Sequence, residues 1–99
     1  MLSSLQEAII LPESYSLAAA YPNPFNPTTT IKFTLPQLSK VKLEVYNING
    51  QLVNTLIDAP LDAGYHSVAW DGSNHSSGIY FVSIVSGEFI DTQKLMLVK

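Results

Sequence analysis

The stretch that most restricts the fold is residues 21–27, with the sequence YPNPFNP, which we call the proline segment. Its three prolines remove three backbone hydrogen-bond donors and fix three φ angles at about −65°. Each residue that precedes a proline is also pushed out of the helical region into extended conformations. The segment can therefore form neither a helix nor a central strand. Because Tyr21 and Phe25 are its only large apolar residues, we expect both side chains to anchor it to a core.

The composition describes one small domain with few groups for chemistry. Only 13% of the 99 residues are charged, against about 25% in average soluble domains. Five lysines, no arginine and a net charge of −3 give no basic stripe, so nucleic acid is not an expected partner. The absence of cysteine excludes disulfides, cysteine-bound zinc and thiol catalysis. No apolar run approaches the roughly 20 residues of a membrane-spanning helix.

Two regions are predicted from this composition and from the pattern that follows. Residues 1–14 are expected to be a tether from a preceding domain, and residues 15–99 to be the folded domain. A weak apolar stripe over residues 3–11 favours a short helix that Pro12 stops. Residues 1–11 lack a basic start and a long apolar run, so we do not expect a signal peptide there.

Alternation of apolar and polar residues predicts six strands after the proline segment and a short seventh before it. The six cover residues 28–35, 41–46, 51–57, 65–70, 79–85 and 89–98, and the seventh lies within residues 15–19. Turn signals separate them, and no convincing helix follows residue 12. The pattern is typical of an all-β protein with a small antiparallel β-sandwich of about seven strands.

The turns and the core can also be predicted. Asn49-Gly50 lies between two alternating runs and indicates a hairpin with a type I′ turn. Residues 58–64 are predicted to be a loop held by Pro60 and Gly64. The apolar positions of the strands predict a core that includes Phe33, Val45, Val68, Trp70, Tyr80 and Leu95.

The polar residues provide no convincing catalytic or metal site. Asp71, His75, Ser76 and Ser77 offer the residue types of a hydrolase triad, but they share one loop, which is typical of a surface turn. His66 has no second ligand-type residue at a useful spacing. The loop could bind Ca²⁺ only weakly, because it contains a single carboxylate. We therefore predict no catalytic residue, no metal and no cofactor.

The aromatic residues leave a sugar-binding interpretation open. Tyr46, Tyr65, Trp70, Tyr80 and Phe81 could stack on sugar rings if they were exposed on one sheet face. The alternation instead favours a core position for Trp70 and Tyr80. A structural or carbohydrate-binding accessory module of a secreted enzyme is therefore the alternative function.

Five motifs together resemble the type A C-terminal sorting domain of the type IX secretion system. In order they are YPNPFNPTTTI at residues 21–31, VYNINGQ at 45–51, GYHSVAWDG at 64–72, SGIYF at 77–81 and KLMLVK at 94–99. Each motif is short, but the five follow one another as they do in the family, and the resemblance covers residues 17–99. It implies an immunoglobulin-like sandwich, similar to the domain of that kind in flagellar hook-capping proteins.

The resemblance also implies a function without catalysis. Domains of this kind follow an N-terminal passenger and are recognised by the type IX translocon of the outer membrane, which the passenger reaches through the periplasm. A sortase-like peptidase then often removes the domain, so the passenger remains at the cell surface or enters the medium. The sequence does not indicate which bond is cut.

The resemblance implies four candidate recognition residues, which are Gly78, Tyr80, Lys94 and Lys99. A last strand at the edge of a sheet could pair with a strand of the translocon, or with a second copy of the chain in a homodimer. The two lysines could be recognised directly, or they could only keep that edge soluble. The sequence leaves both roles open.

Overall fold

The computed structural model describes residues 10–99, and this part of the chain contains seven β-strands and no helix. The strands are β1 (Ser16–Leu17), β2 (Thr28–Leu35), β3 (Ser39–Asn47), β4 (Leu52–Leu61), β5 (Gly64–Asp71), β6 (Gly78–Ser86) and β7 (Phe89–Leu97). All seven predicted strands are present. The helix predicted for residues 3–11 lies outside the described residues except for its last two positions, which are not helical.

The strands form two antiparallel sheets. Sheet A has the order β1-β2-β5, and sheet B has the order β4-β3-β6-β7. This arrangement confirms the predicted all-β sandwich, and the order is immunoglobulin-like, with β4 paired to β3 in the second sheet. In the described part of the chain, no helix is long and apolar enough to cross a membrane.

The core lies between the two sheets and follows the alternation of the strands. Fully buried side chains come from β2, β3, β5, β6 and β7; they include Ile31, Phe33, Leu35, Val41, Leu43, Val45, Trp70, Val82, Ile84, Leu95 and Leu97. The core prediction is confirmed for Phe33, Val45, Trp70, Tyr80 and Leu95. Val68 is only half-buried against this cluster, because it lies on β5 at an edge of sheet A.

The β3–β4 hairpin exists, but its predicted turn type is wrong. A type I′ turn needs a positive φ at both central residues, which here are Asn49 and Gly50. Among the described residues, no residue other than glycine has a positive φ, so Asn49 does not meet this condition. The loop instead has three residues, 48–50, and Gly50 alone is left-handed, with a φ of +80°. The side-chain oxygen Oδ1 of Asn47 accepts hydrogen bonds from the N–H groups of Asn49 (2.9 Å) and Gln51 (3.0 Å). Asn47 thus organises the turn.

The loop predicted at residues 58–64 is mostly strand. β4 continues to Leu61, and its last four residues pair with residues 39–42 of β3. Pro60 lies opposite Lys40 in this ladder. A proline is tolerated there because β4 is an edge strand, and among the described strands none lies on its outer side to receive an N–H group.

The proline segment is neither helix nor central strand, as predicted, but only one of its two expected anchors is buried. Phe25 is 2% exposed and its ring lies 5.7 Å from that of Trp70, whereas Tyr21 is 79% exposed. The backbone of Tyr21 pairs with Thr30 of sheet A, and that of Phe25 pairs with Leu97 of sheet B. The segment therefore crosses from one sheet to the other and closes one flank of the sandwich.

Candidate recognition surface

The outer edge of β7 is already occupied by the proline segment. The Nδ2 of Asn23 donates to the carbonyl oxygen of Lys94 (2.8 Å), and its Oδ1 accepts from the N–H of Met96 (2.9 Å). Two residues on, the N–H of Phe25 donates to the carbonyl of Met96, and the N–H of Val98 donates to the carbonyl of Phe25, both at 2.9 Å. The edge at which the sequence analysis allows a strand of the translocon or of a second copy to pair is therefore not free over residues 94–98.

Gly78 has a conformational reason to be glycine. It begins β6 opposite Leu97, and its φ is +151°. A Cβ atom there would meet no atom of the described residues within 4 Å, so crowding of a Cβ is not the constraint. The constraint is the backbone, because residues with a Cβ rarely adopt this conformation.

Tyr80 supports the loop beside it and offers little surface of its own. It is 6% exposed, and its hydroxyl donates to the carbonyl of Ser76 (2.7 Å). Its ring packs edge-on against Trp70 at 5.3 Å and against His75 at 5.9 Å. The loop between β5 and β6 is thus fixed to the core through Tyr80.

Lys99 holds the same loop from the other side. Its N–H donates to the hydroxyl of Ser77 (3.1 Å), and its Nζ donates to the carbonyl of Ser73 (2.7 Å). Hydrogen bonds from Ser73 lower the pKa of Asp71, and the charge of Lys99 adds to this effect. Three of the four candidate residues, Gly78, Tyr80 and Lys99, therefore meet at one end of the sandwich.

A hollow of about 370 Å³ opens at this end, which we call the end hollow. It lies between the β3–β4 hairpin and the β5–β6 loop, and its lining includes Ile48, Ser77, Gly78 and Tyr80. Ile48 is 66% exposed at its rim. The hollow can accept a side chain or a short segment of another molecule.

Lys94 lies apart from the other candidates, on the outer face of sheet B. Cross-strand pairing places Leu52, Tyr46, Phe81 and Lys94 in one row over all four strands, and Ile79 and Met96 in the next row. We call these six residues the outer patch. Leu52 is 51% and Met96 37% exposed, and the remaining apolar members are half-buried. Sequence reasoning missed this patch, although its members alternate with the core positions of their strands.

Tyr46 is tied to its neighbour within the outer patch. Its hydroxyl donates to the Oε1 of Glu44 (2.8 Å), and this hydrogen bond is the main reason why the pKa of Tyr46 is raised. Since the phenol stays neutral at ordinary pH, Lys94 is the one charged member of the patch.

The residues of the superficial triad do not form one. His75 packs its ring against Trp70 at 5.4 Å, and the carboxylate of Asp71 accepts a hydrogen bond from the N–H of Ser73 (2.9 Å). His66 uses its Nε2 in a hydrogen bond with the carbonyl of Asp62 (2.8 Å). Among residues 10–99, no three His, Cys, Asp or Glu side chains come together in a way that could hold a metal ion.

The aromatic residues considered for sugar binding lie in three places. Trp70 and Tyr80 are buried in the core, Tyr46 and Phe81 belong to the outer patch, and Tyr65 is 69% exposed on sheet A. The prediction of core positions for Trp70 and Tyr80 is confirmed. A single stacking face made of all five is therefore absent from the described residues.

Comparison with known families identifies the family of this chain. A search among curated proteins finds no significant match. The family model described as "Secretion system C-terminal sorting domain" matches residues 19–99, which include the proline segment, both sheets and all four candidate residues. Members of this family are non-catalytic signals. They mark proteins for the type IX system, and this system exports those proteins to the cell surface or the medium. The chain therefore belongs to the family of secretion-system C-terminal sorting domains.

Proposed function

We propose that this domain is a non-catalytic export signal that the type IX translocon binds at the outer patch and the adjoining end hollow. The observation that carries the proposal is the position of the late family motifs. In β6 and β7 they contribute Ile79, Phe81, Lys94 and Met96 to one partly exposed face. Apolar side chains that the core does not use are available to a partner, and their removal from water favours binding.

The four candidate residues take different parts in this proposal. Lys94 contacts the translocon directly, because its side chain is exposed within the patch. Gly78, Tyr80 and Lys99 act mainly by shaping the end hollow, since they hold the β5–β6 loop against the sandwich. Lys99 adds a second positive charge close to the hollow. The translocon surface that fits is therefore apolar with acidic groups at its margin.

A reporter fusion tests the proposal. A folded reporter placed before residues 10–99 is expected to reach the surface or medium of a bacterium with a type IX system. The double variant Lys94→Ala, Lys99→Ala should lower export. Its free energy of unfolding should change by less than about 0.5 kcal/mol, because both substitutions are at exposed sites. Secretion and thermal unfolding are measured on the same variants.

The matched control is Lys40→Ala with Lys42→Ala, which removes two exposed lysines from the opposite end of sheet B. This control should be exported normally. Normal export of the Lys94, Lys99 variant would remove both lysines from the recognition surface. If export follows thermal stability across all variants, the folded sandwich is the signal and the proposed surface is wrong.

The proposal includes an N-terminal passenger and removal of the domain by a sortase-like peptidase, and the structure favours a particular region for the cut. Leu17 is buried, and the N–H of Ala18 donates to the carbonyl of Lys32 (2.9 Å). The carbonyl of Ser14 accepts from the hydroxyl of Thr34 (2.9 Å), and Tyr15 stacks on Phe89 at 5.4 Å. A peptidase needs an accessible extended substrate, so we place the cut N-terminal to Ser14, within the tether of residues 1–14.

The mass of the released domain gives the position of the cut. We expect its N-terminus at or before Ser14, with β1 intact. A released domain that begins at Ala18 or later would show that β1 leaves sheet A during processing, and would contradict the placement.

A further inference from the structure

The outer face of sheet A carries two exposed tyrosines on either side of a lysine. Tyr21 is 79% exposed and lies opposite Thr30, whereas Tyr65 is 69% exposed and lies opposite Thr34. Lys32 is exposed midway between the two threonines on the same face of β2. Both rings therefore lie on one sheet face, separated along β2 by roughly 13 Å at about 3.3 Å per residue.

The surface between the tyrosines is shaped as two shallow hollows that share Lys32. One has a volume of about 440 Å³ and is lined by Tyr65 with Ser16, Thr34 and Ser67 among others. The other has about 390 Å³ and is lined by Tyr21, Thr30 and Ala19 in addition to Lys32. An extended chain that lies across both hollows passes over Lys32 and reaches both rings.

From these features we propose that the outer face of sheet A binds an acidic polysaccharide. Each tyrosine ring would stack on the C–H face of a sugar, and the hydroxyls of Thr30 and Ser67 would exchange hydrogen bonds with sugar hydroxyls. A protein partner fits less well, because the centre of a protein interface is usually apolar and poor in charge. Here the centre is a charged side chain, that of Lys32, which lines both hollows.

Charge selects the class of polysaccharide. The chain has a net charge of −3, yet among residues 10–99 the two hollows are lined by one lysine and by no acidic residue. Among the strand residues of this face, the acidic one is Asp71, at the far end of β5 opposite Thr28, where Ser73 hydrogen-bonds its carboxylate. Lys32 would therefore pair with a uronate carboxylate placed between the two stacked sugars. This site is separate from the outer patch of sheet B and does not depend on the export function.

Affinity electrophoresis and calorimetry of the full chain test the site, with alginate and polygalacturonate as acidic probes and dextran as the neutral probe. We expect retention by at least one acidic probe and none by dextran. The double variant Tyr21→Ala, Tyr65→Ala should weaken binding about thirtyfold, because it removes two ring contacts that each contribute on the order of 1 kcal/mol. Lys32→Glu should abolish binding, and salt should weaken it.

Lys42→Glu is the matched control, since it makes the same charge change at an exposed position of sheet B. It should bind like the unmodified chain, and all variants should keep their melting temperature. The proposal is overturned if neither acidic probe retains the chain, if dextran binds equally well, or if Lys42→Glu weakens binding as much as Lys32→Glu. It is also overturned if the chain elutes as a dimer that Tyr21→Ala dissociates, because the face would then join two copies.

Discussion

The two edges of sheet B are protected in different ways. At β7, the proline segment makes four hydrogen bonds to residues 94–98, two through the side chain of Asn23 and two through the backbone of Phe25. At β4, the other edge, the protection is local. Pro60 lacks an N–H group, Asp58 is exposed and charged, and the pairing with β3 shifts register at two points.

The edge of β7 is thus protected by tertiary contacts, whereas the edge of β4 is protected by features of the strand itself. The cover of β7 joins residues more than 70 positions apart in the chain, so it forms only when both sheets are in place. The proline, the charged residue and the register shifts that protect β4 belong to that strand or to its pairing with β3. We infer that the cover of β7 is sensitive to a single substitution, whereas the protection of β4 is redundant.

The largest expected effect is that of Phe25→Ala, which removes the buried anchor of the β7 cover. Loss of a buried phenylalanine costs about 3–5 kcal/mol, a large part of the roughly 5–15 kcal/mol by which small domains are stable. Urea unfolding should show this loss. Tyr21→Ala is the matched control in the same segment, and because Tyr21 is exposed it should change stability by less than about 0.5 kcal/mol.

Equal losses of unfolding free energy for Phe25→Ala and Tyr21→Ala would contradict the view that the β7 edge depends on a single buried anchor. They would mean that the whole proline segment, and not Phe25 alone, holds the cover in place. A small loss for Phe25→Ala would mean that the hydrogen bonds at the β7 edge hold the segment without its buried ring.

A smaller effect is expected for Asn23→Ala. The carbonyl of Lys94 and the N–H of Met96 lose their partner, and because both lie at the surface, water replaces it in part. We expect a loss of about 1–2 kcal/mol for the two bonds. The exposed groups also form a short free edge, so sedimentation should detect association that rises with concentration.

The control for this variant is Asn26→Ala, because Asn26 belongs to the same segment and is exposed. It should be as stable as the unmodified chain and should associate no more than that chain does. If Asn23→Ala is monomeric at all concentrations, the backbone of Phe25 is a sufficient cover for β7.

Sequence reasoning succeeded where neighbouring residues carry the information. The alternation of Ile31, Phe33 and Leu35 is enough to place β2 and its buried face, because the side-chain period of a strand is fixed. The core position of Trp70 follows from the same pattern. The family motifs, taken in order, are enough to identify the sorting domain.

It failed where the outcome depends on distant parts of the chain. Tyr21 and Phe25 stand in similar proline-rich surroundings, and only the path between the two sheets decides that one is buried and the other exposed. The pairing of Asn23 with β7 has no periodic signal at all. The sequence predicts a loop at Pro60, although an edge strand can accept a proline. Whether β4 is an edge strand depends on the strand order, which the sequence does not show.

The smallest effect is expected at β4, where Pro60→Thr restores an N–H group on the unpartnered side of the edge. A threonine at this position would suit a strand, and its N–H would point to water, so the stability should change by less than about 0.5 kcal/mol. The variant should also associate no more than the unmodified chain, because Asp58 and the two register shifts still interrupt the edge. Sedimentation at the concentrations used for Asn23→Ala makes the two edges directly comparable. Association of Pro60→Thr at those concentrations would show that the proline alone protects β4, and that the two edges depend equally on single residues.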